Sequence, residues 1–312
     1  MAKPRLLTGL QSSGDLHIGN YFGALKPFRE TYGKYDSFLM VADYHALTSL
    51  KDPKELRKNS ENVVRDYLAA GIDPKEAVIF KQSDVPAHTE LAWIFDCLVT
   101  VPFLQQAHAY KDKVAKGLEA NAGLFTYPML MAADILLYDA EVVPVGEDQR
   151  QHIEYAREAA AKFNNTFGTT FTEPKEIILK ATGVIPGTDG KKMSKSYGNT
   201  ISLFGSREEI TKAVMSIVTD SSGERPENVF AIHKLIREEG ELDRLYAENS
   251  GKYKVLKEAL IEDLDTFIAP MREKRRAITD ADVAAVLREG GEKARKVSEA
   301  KMETVRKAVG VR

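Results

Sequence analysis

Cysteine is almost absent: Cys97 is the only one in 312 residues. No intrachain disulfide can form, and one cysteine with six scattered histidines argues against a structural zinc or iron–sulfur site. No apolar run approaches the length that crosses a bilayer, and the amino terminus carries no signal-peptide core, so a cytoplasmic protein with no membrane partner is expected. An excess of either charge is also missing, with 44 Lys and Arg against 46 Asp and Glu, so overall charge does not point to a nucleic-acid partner. The chain shows no nucleophile elbow, no internal repeat and no low-complexity tract, and nothing marks Cys97 as a reactive thiol. Cys97 sits in the apolar helical pattern of Leu91, Ile94, Phe95 and Leu98, where a small buried residue is expected.

What the sequence does hold is Thr8 to Ala24, TGLQSSGDLHIGNYFGA, which follows Leu6-Leu7 and carries four glycines. It reads as strand, turn and helix, a geometry that aims backbone N–H groups and a helix amino end at an anion. It matches neither the dinucleotide fingerprint nor the P-loop. Gly19 lets a ligand approach the backbone, while His17 and Asn20 bring hydrogen-bonding groups beside it; taken alone, the stretch fits an ordinary glycine-rich surface turn better.

Downstream, apolar runs alternate with helical patterns. Ser37 to Val41 and Ala77 to Phe80 read as buried strands ending in polar residues, Asp43 and His45 after the first and Gln82 after the second. Asp52-Pro53 starts a helix that runs to Gly71. Ala87 to Val101 is amphipathic, His108 to Gly123 is polar, and Leu124 to Tyr138 is a mainly apolar helix. Val142 to Val145 is a short strand, followed by a helix from Gly146 to Phe163. This alternation predicts an α/β fold, a doubly wound parallel-sheet (Rossmann-like) domain. Ala181 to Asn199, with four glycines and three lysines, reads as a mobile loop. From Ser206 onward the pattern is helical, over Ser206 to Val218, Pro226 to Ile236, Tyr253 to Ile278 and Asp280 to Val309, which predicts a C-terminal all-helical domain and a boundary near residue 200.

HIGN near the amino terminus and Lys191 to Asn199, KKMSKSYGN, together resemble the two signatures of class I aminoacyl-tRNA synthetases. Tyr127 to Tyr138 and Val143 to His152 narrow the resemblance to the bacterial tryptophanyl type. The likeness implies that ATP and L-tryptophan form an adenylate, with Mg²⁺ present, and that the aminoacyl group passes to tRNA(Trp), releasing AMP and diphosphate. It further implies a homodimer built on an insertion at about 85–123, with Trp93, Phe95 and Leu98 on the shared face, and an anticodon-binding role for residues 201–312.

Site residues follow from the same resemblance. Lys192, Lys195 and Lys113 are the expected catalytic cations, stabilising charge on the leaving pyrophosphate. ATP is expected against Gln11, Ser12, Ser13, His17, Gly19, Asn20, Gly146, Glu147, Asp148, Val184, Met193, Ser194 and Ser196, together with the two loop lysines. Tryptophan is expected against Asp134, Met131, Tyr127 and Gln149, with no protein-bound metal. Asp134 is an ionisable group in an apolar helix, and buried acids need a partner. The indole N–H is the partner that the resemblance supplies; a neighbouring basic side chain is the alternative.

Three other readings compete: a tyrosyl-tRNA synthetase, a small-molecule nucleotidylyltransferase, and a catalytically silent RNA-binding paralogue. The amino-acid helix MAADILLY is less polar than the tyrosyl type leads one to expect, and a pure binder needs no pyrophosphate-stabilising pair. From Met271 onward, 12 basic residues face 7 acidic ones. This is either a solvated charged face or a surface for tRNA, in which Arg275, Arg276 and Lys293 are the expected contacts.

Overall fold

The computed structural model describes residues 3–11, 14–117, 119–145, 150–178, 185–219 and 225–311. Five strands, β1 (Arg5–Gln11), β2 (Asp36–Ala42), β3 (Ala77–Lys81), β4 (Val142–Val145) and β5 (Lys175–Ile178), form one sheet in the order β3-β2-β1-β4-β5. Every neighbouring pair is parallel. The chain winds outward from β1 to β3 and then returns to the other side of β1, so the strand order reverses beside β1. Gln11, Ala42 and Lys81 end their strands on that same carboxyl side. β2 is apolar and buried from Ser37 to Ala42, as a strand covered on both faces must be.

The helices are α1 (Ile18–Asn20), α2 (Lys26–Thr31), α3 (Asp43–Ala46), α4 (Pro53–Ala69), α5 (Ala87–Asp96), α6 (Val101–Leu104) and α7 (His108–Ala115). They continue as α8 (Ala122–Leu136), α9 (Arg150–Phe167), α10 (Arg207–Met215), α11 (Glu227–His233), α12 (Glu239–Glu248), α13 (Tyr253–Ala277) and α14 (Asp280–Val309). Local chemistry sets their ends. Asp52 caps α4 by accepting from the Lys54 and Glu55 amides at 2.8 and 3.1 Å, with Pro53 in the first turn. Thr279 and Asp282 form a reciprocal capping box at the start of α14.

The doubly wound sheet and the helical second half are as the sequence predicts. The helical half, however, is not packed apart from the sheet. One apolar cluster runs from Leu6, Ile18 and Phe22 through Ile201 and Leu203 to Leu264 and Ile268. Phe267 of α13 stacks on Phe22 at 5.4 Å. α14 returns to lie directly on β3, so close that a β-carbon on Gly290 would stand 1.8 Å from the carbonyl oxygen of Ile79.

Two sequence expectations fail in α5 and at the cap that follows it. Cys97 is exposed rather than buried. Phe95 is fully buried against Phe163 and Phe171, while Trp93 is 70% exposed, so these two aromatic side chains do not share an outward face. Both misreadings come from assigning an amphipathic helix its inner face by composition: the inner row is Leu91, Ala92 and Phe95.

Candidate active site

The glycine-rich turn and the lysine signature meet. Ile18 N donates to Ile201 O at 3.0 Å and Leu203 N to Leu16 O at 2.9 Å, so the chain just after KKMSKSYGN is paired with the chain around HIGN. Lys195 Nζ donates to the carbonyl of Gly14 at 2.8 Å. Met193, 5% exposed, packs where a β-carbon on Gly19 would lie 3.3 Å from its sulfur and 2.8 Å from His17 Nδ1. Glycine at position 19 is therefore required by packing inside the protein, before any ligand approaches.

His17 and Asn20 clasp each other. His17 Nδ1 accepts from the Asn20 amide at 3.3 Å, and Asn20 Oδ1 accepts from the His17 amide at 3.1 Å, which caps α1. The ring is buried, and burial together with the nearby Lys195 charge takes its pKa down to about 4. At neutral pH it is uncharged, and since Nδ1 accepts, the ring hydrogen sits on Nε2.

Within the lysine signature the chain forms a hydrogen-bonded turn. Asn199, 2% exposed, is its centre. Its Oδ1 accepts from the Ser194 amide at 2.7 Å, and its Nδ2 donates to Asp189 Oδ1 at 2.6 Å and to the Lys192 carbonyl at 3.1 Å. Met193 N donates to Ile185 O at 2.9 Å. A stretch rich in glycine and lysine conceals this because its order comes from one amide side chain and one buried methionine. Burial lowers the Lys195 pKa, and the carboxylates of Asp15 and Asp66 oppose that.

Asp134, on α8, is 2% exposed and has three protein donors. His45 Nε2 reaches Oδ2 at 2.9 Å, while Gln82 Nε2 and His88 Nδ1 reach Oδ1 at 2.7 and 2.6 Å. Burial alone would raise its pKa, but the hydrogen bonds from His45 and His88 outweigh that and hold it at about 2, so the group is a carboxylate. The basic-partner arrangement that the sequence left open is thus present. Three bonds still leave one of a carboxylate's roughly four acceptor directions, on Oδ2. His45 and Gln82 come from the carboxyl ends of β2 and β3, where the sequence flags polar residues; His88 and its partner Tyr138 carry no such signal, because each sits in an apolar helical run.

Around this acid, Gln11 Nε2 donates to the His45 carbonyl at 3.2 Å, and Tyr127 meets the His45 ring edge-on at 6.2 Å. Tyr127 OH bonds His152 Nε2 at 2.9 Å, and Met131 packs into the apolar cluster beneath. Gln11, Tyr127, Met131 and Asp134 therefore gather at one end of the sheet. Lys113 is half-buried on α7. Asp112 raises the pKa of Lys116 at the end of α7 through a hydrogen bond at 2.7 Å. Ser12, Ser13, Gly146, Glu147, Asp148, Gln149 and Val184 lie outside the described residues, as does the side chain of Ser196.

The expected tRNA contact of Arg275 needs revision. Its Nε donates to the buried Asp66 at 2.5 Å, its Nη2 lies 3.9 Å from Asp15, and its guanidinium covers Phe204 at 5.1 Å. It is engaged in tying α13 to α4 and to the glycine-rich turn. Arg276 and Lys293 are exposed.

The model for "tRNA synthetases class I (W and Y)" matches residues 1–281. A tryptophan–tRNA ligase of Fusobacterium nucleatum is 46% identical over 319 aligned positions covering 98% of each chain. One from Campylobacter jejuni is 44% identical over 98% of this chain and all of its own. The crystal structure of tryptophanyl-tRNA synthetase from Campylobacter jejuni, complexed with ADP and tryptophan, superposes with a TM-score of 0.91 at 43% identity, covering 98% of this chain and 99% of the other. With HIGN docked on KKMSKSYGN at the carboxyl ends of a doubly wound sheet, and with relatives of this closeness along the whole length, the chain belongs to the class I tRNA synthetases, on the tryptophan–tRNA ligase branch.

Proposed function

We propose that the protein joins L-tryptophan to tRNA(Trp) in two steps at this site. A carboxylate oxygen of tryptophan attacks the α-phosphorus of ATP, the bond to the bridging oxygen breaks, and diphosphate leaves with the negative charge. The tryptophanyl group then passes to the terminal ribose of the tRNA, releasing AMP. No protein nucleophile is needed, so the chain's work is to hold the reactants and stabilise charge.

Lys195, with Lys192 beside it and Lys113 from α7, supplies cations to the leaving diphosphate. Gly19 and Asn20 keep the turn close-packed, and neutral His17 offers an Nε2–H donor rather than a second positive charge. Ser12, Ser13, Gly146, Glu147, Asp148, Val184, Met193, Ser194 and Ser196 complete the nucleotide contacts in this reading. Among the described residues, no three His, Cys, Asp or Glu side chains converge as a metal cage. Mg²⁺ enters this reading as a companion of the ATP phosphates, a mode in which few protein ligands are used.

Asp134 accepts the indole N–H on Oδ2, Tyr127 and Met131 line the ring, and Gln149 meets the amino-acid end. The buried Asp134, with one acceptor direction left on Oδ2, is the observation that carries the reading of an aromatic ring that brings a donor. Tyrosine's phenol O–H is a donor too, so the choice of tryptophan over tyrosine is supported by the 46% and 44% identical tryptophan–tRNA ligases. Amino-acid-dependent exchange of pyrophosphate into ATP tests it: tryptophan should support exchange and tyrosine should not. Faster exchange with tyrosine would overturn the assignment.

In the same reading the protein works in the cytoplasm as a homodimer, and residues 201–312 meet the anticodon arm through exposed cations such as Arg276 and Lys293. No described helix is long and apolar enough to cross a membrane.

A further inference from the structure

The two oxygens of Asp134 are not equivalent. Oδ1 takes both Gln82 Nε2 and His88 Nδ1, whereas Oδ2 takes only His45 Nε2. A carboxylate has no hydrogen to give, so His88 must carry one on Nδ1. In the Nδ1–H tautomer Nε2 is bare, and Tyr138 OH lies 2.9 Å from it. Burial, with a smaller contribution from the Asp134 charge, moves the Tyr138 pKa above its ordinary value, so the phenol keeps its proton and can donate. His88 and Tyr138 are both fully buried. Phe80 stacks on His88 at 6.2 Å, and Phe38 and Phe80 hold the Tyr138 ring at 5.0 and 5.5 Å.

We propose that His88, with its tautomer fixed by Tyr138, is a positioning residue that pins Asp134 through Oδ1 and so leaves Oδ2 as the single acceptor for the substrate's ring N–H. The proposal rests on the reading of Asp134 as the indole acceptor. The wire has one direction: Tyr138 O–H to His88 Nε2, then His88 Nδ1–H to Asp134 Oδ1. With Oδ1 filled by two donors, the carboxylate cannot rotate without breaking both bonds. A ligand ring with one N–H completes the site, and a ring with none leaves a charged acceptor short of a partner.

Two isosteres at position 88 separate positioning from bulk. In His88→Asn the amide N–H replaces Nδ1–H and keeps the bond to Asp134; in His88→Gln the amide stands near Nε2 and loses it. In pyrophosphate exchange with the full chain, His88→Gln should raise KM for tryptophan about ten- to a hundredfold, the effect of losing a hydrogen bond to a charged group. KM for ATP should stay within about twofold, and His88→Asn should stay within about threefold of wild type for tryptophan. Equal losses in the two variants would reduce His88 to a packing residue and overturn the proposal.

Asp134→Asn distinguishes the two layers. If it leaves KM for tryptophan unchanged, the indole reading itself falls; if it raises KM while His88→Gln does not, only the relay falls. Should His88→Gln not fold, ¹⁵N shifts of His88 in the wild type decide the matter. An Nδ1–H tautomer that becomes mixed in Tyr138→Phe supports the relay, and an Nε2–H tautomer in the wild type overturns it.

Discussion

Lys195 Nζ and the carbonyl oxygen of Gly14 lie 2.8 Å apart, although 181 positions separate them in the chain. Gly14 has φ of +95°, a conformation that L side chains rarely adopt, and it is this backbone that presents the carbonyl to the lysine. The contact holds the ammonium at the mouth of the glycine-rich turn, and a leaving diphosphate offers it a stronger acceptor than a neutral carbonyl.

Removing that ammonium separates binding from catalysis. Lys195→Ala is expected to lower kcat for adenylate formation by roughly 10²–10³, as loss of a charge-stabilising donor does elsewhere. The affinity for ATP measured without tryptophan should change far less. Equal kcat in mutant and wild type would remove Lys195 from the chemistry.

His17 gives a pH signature. Its folded pKa, about 4, lies below the unfolded value of 6.5. Between these values the unfolded chain binds a proton that the folded chain does not, so this group makes stability fall as pH drops through that window and contributes no slope above it. His17→Asn keeps a capping oxygen and removes the titration. Urea denaturation at about pH 7.5 and about pH 5 should show a smaller loss on acidification in the variant than in the wild type. Identical losses would mean that His17 is not the titrating group.

Two glycines should respond in opposite senses to alanine. Gly290→Ala drives a β-carbon into the backbone of Ile79 and should destabilise by about 1–3 kcal/mol or more. Gly240, in α12, has open space around it and should gain up to about 1 kcal/mol from better helix propensity. Chemical denaturation of both variants checks the pair, and a neutral Gly290→Ala would contradict the close approach of α14 to β3.

Trp93 reports on assembly. It lies with Ile94, Cys97, Leu98 and Val309 around an apolar cavity of about 780 Å³, and it is the only tryptophan in the chain. In a homodimer that covers this face, its emission should shift to the red on dilution, as the ring passes from apolar cover to water. Emission independent of concentration, with a monomer mass by light scattering, would rule out the dimer through this face.

The sheet was legible because fully buried strands are written as unbroken apolar runs, as Ser37 to Val41 shows. β5 escaped because Lys175–Ile178 is short and opens with a lysine and a glutamate, so it lacks such a run. α12 was missed for a related reason: Leu242 and Tyr246 alone mark its buried face in an otherwise charged stretch. At the site, the two signature motifs were legible as motifs, but their contact depends on pairings such as Leu203 with Leu16 that no local pattern encodes. Asp134 stood out as an acid in an apolar helix. His88 did not, because a histidine at a core position of an amphipathic helix looks like any satisfied core residue until the fold brings a carboxylate and a phenol to its two nitrogens.

The packing of α14 on β3 also orders events during synthesis. β3 is an edge of the sheet, and an uncovered edge strand is a template for pairing with another chain. Its cover begins at Asp280, some 200 residues after the strand itself. On the ribosome, β3 therefore emerges long before the helix that lies on it, and in that interval its edge is open to pairing with neighbouring chains.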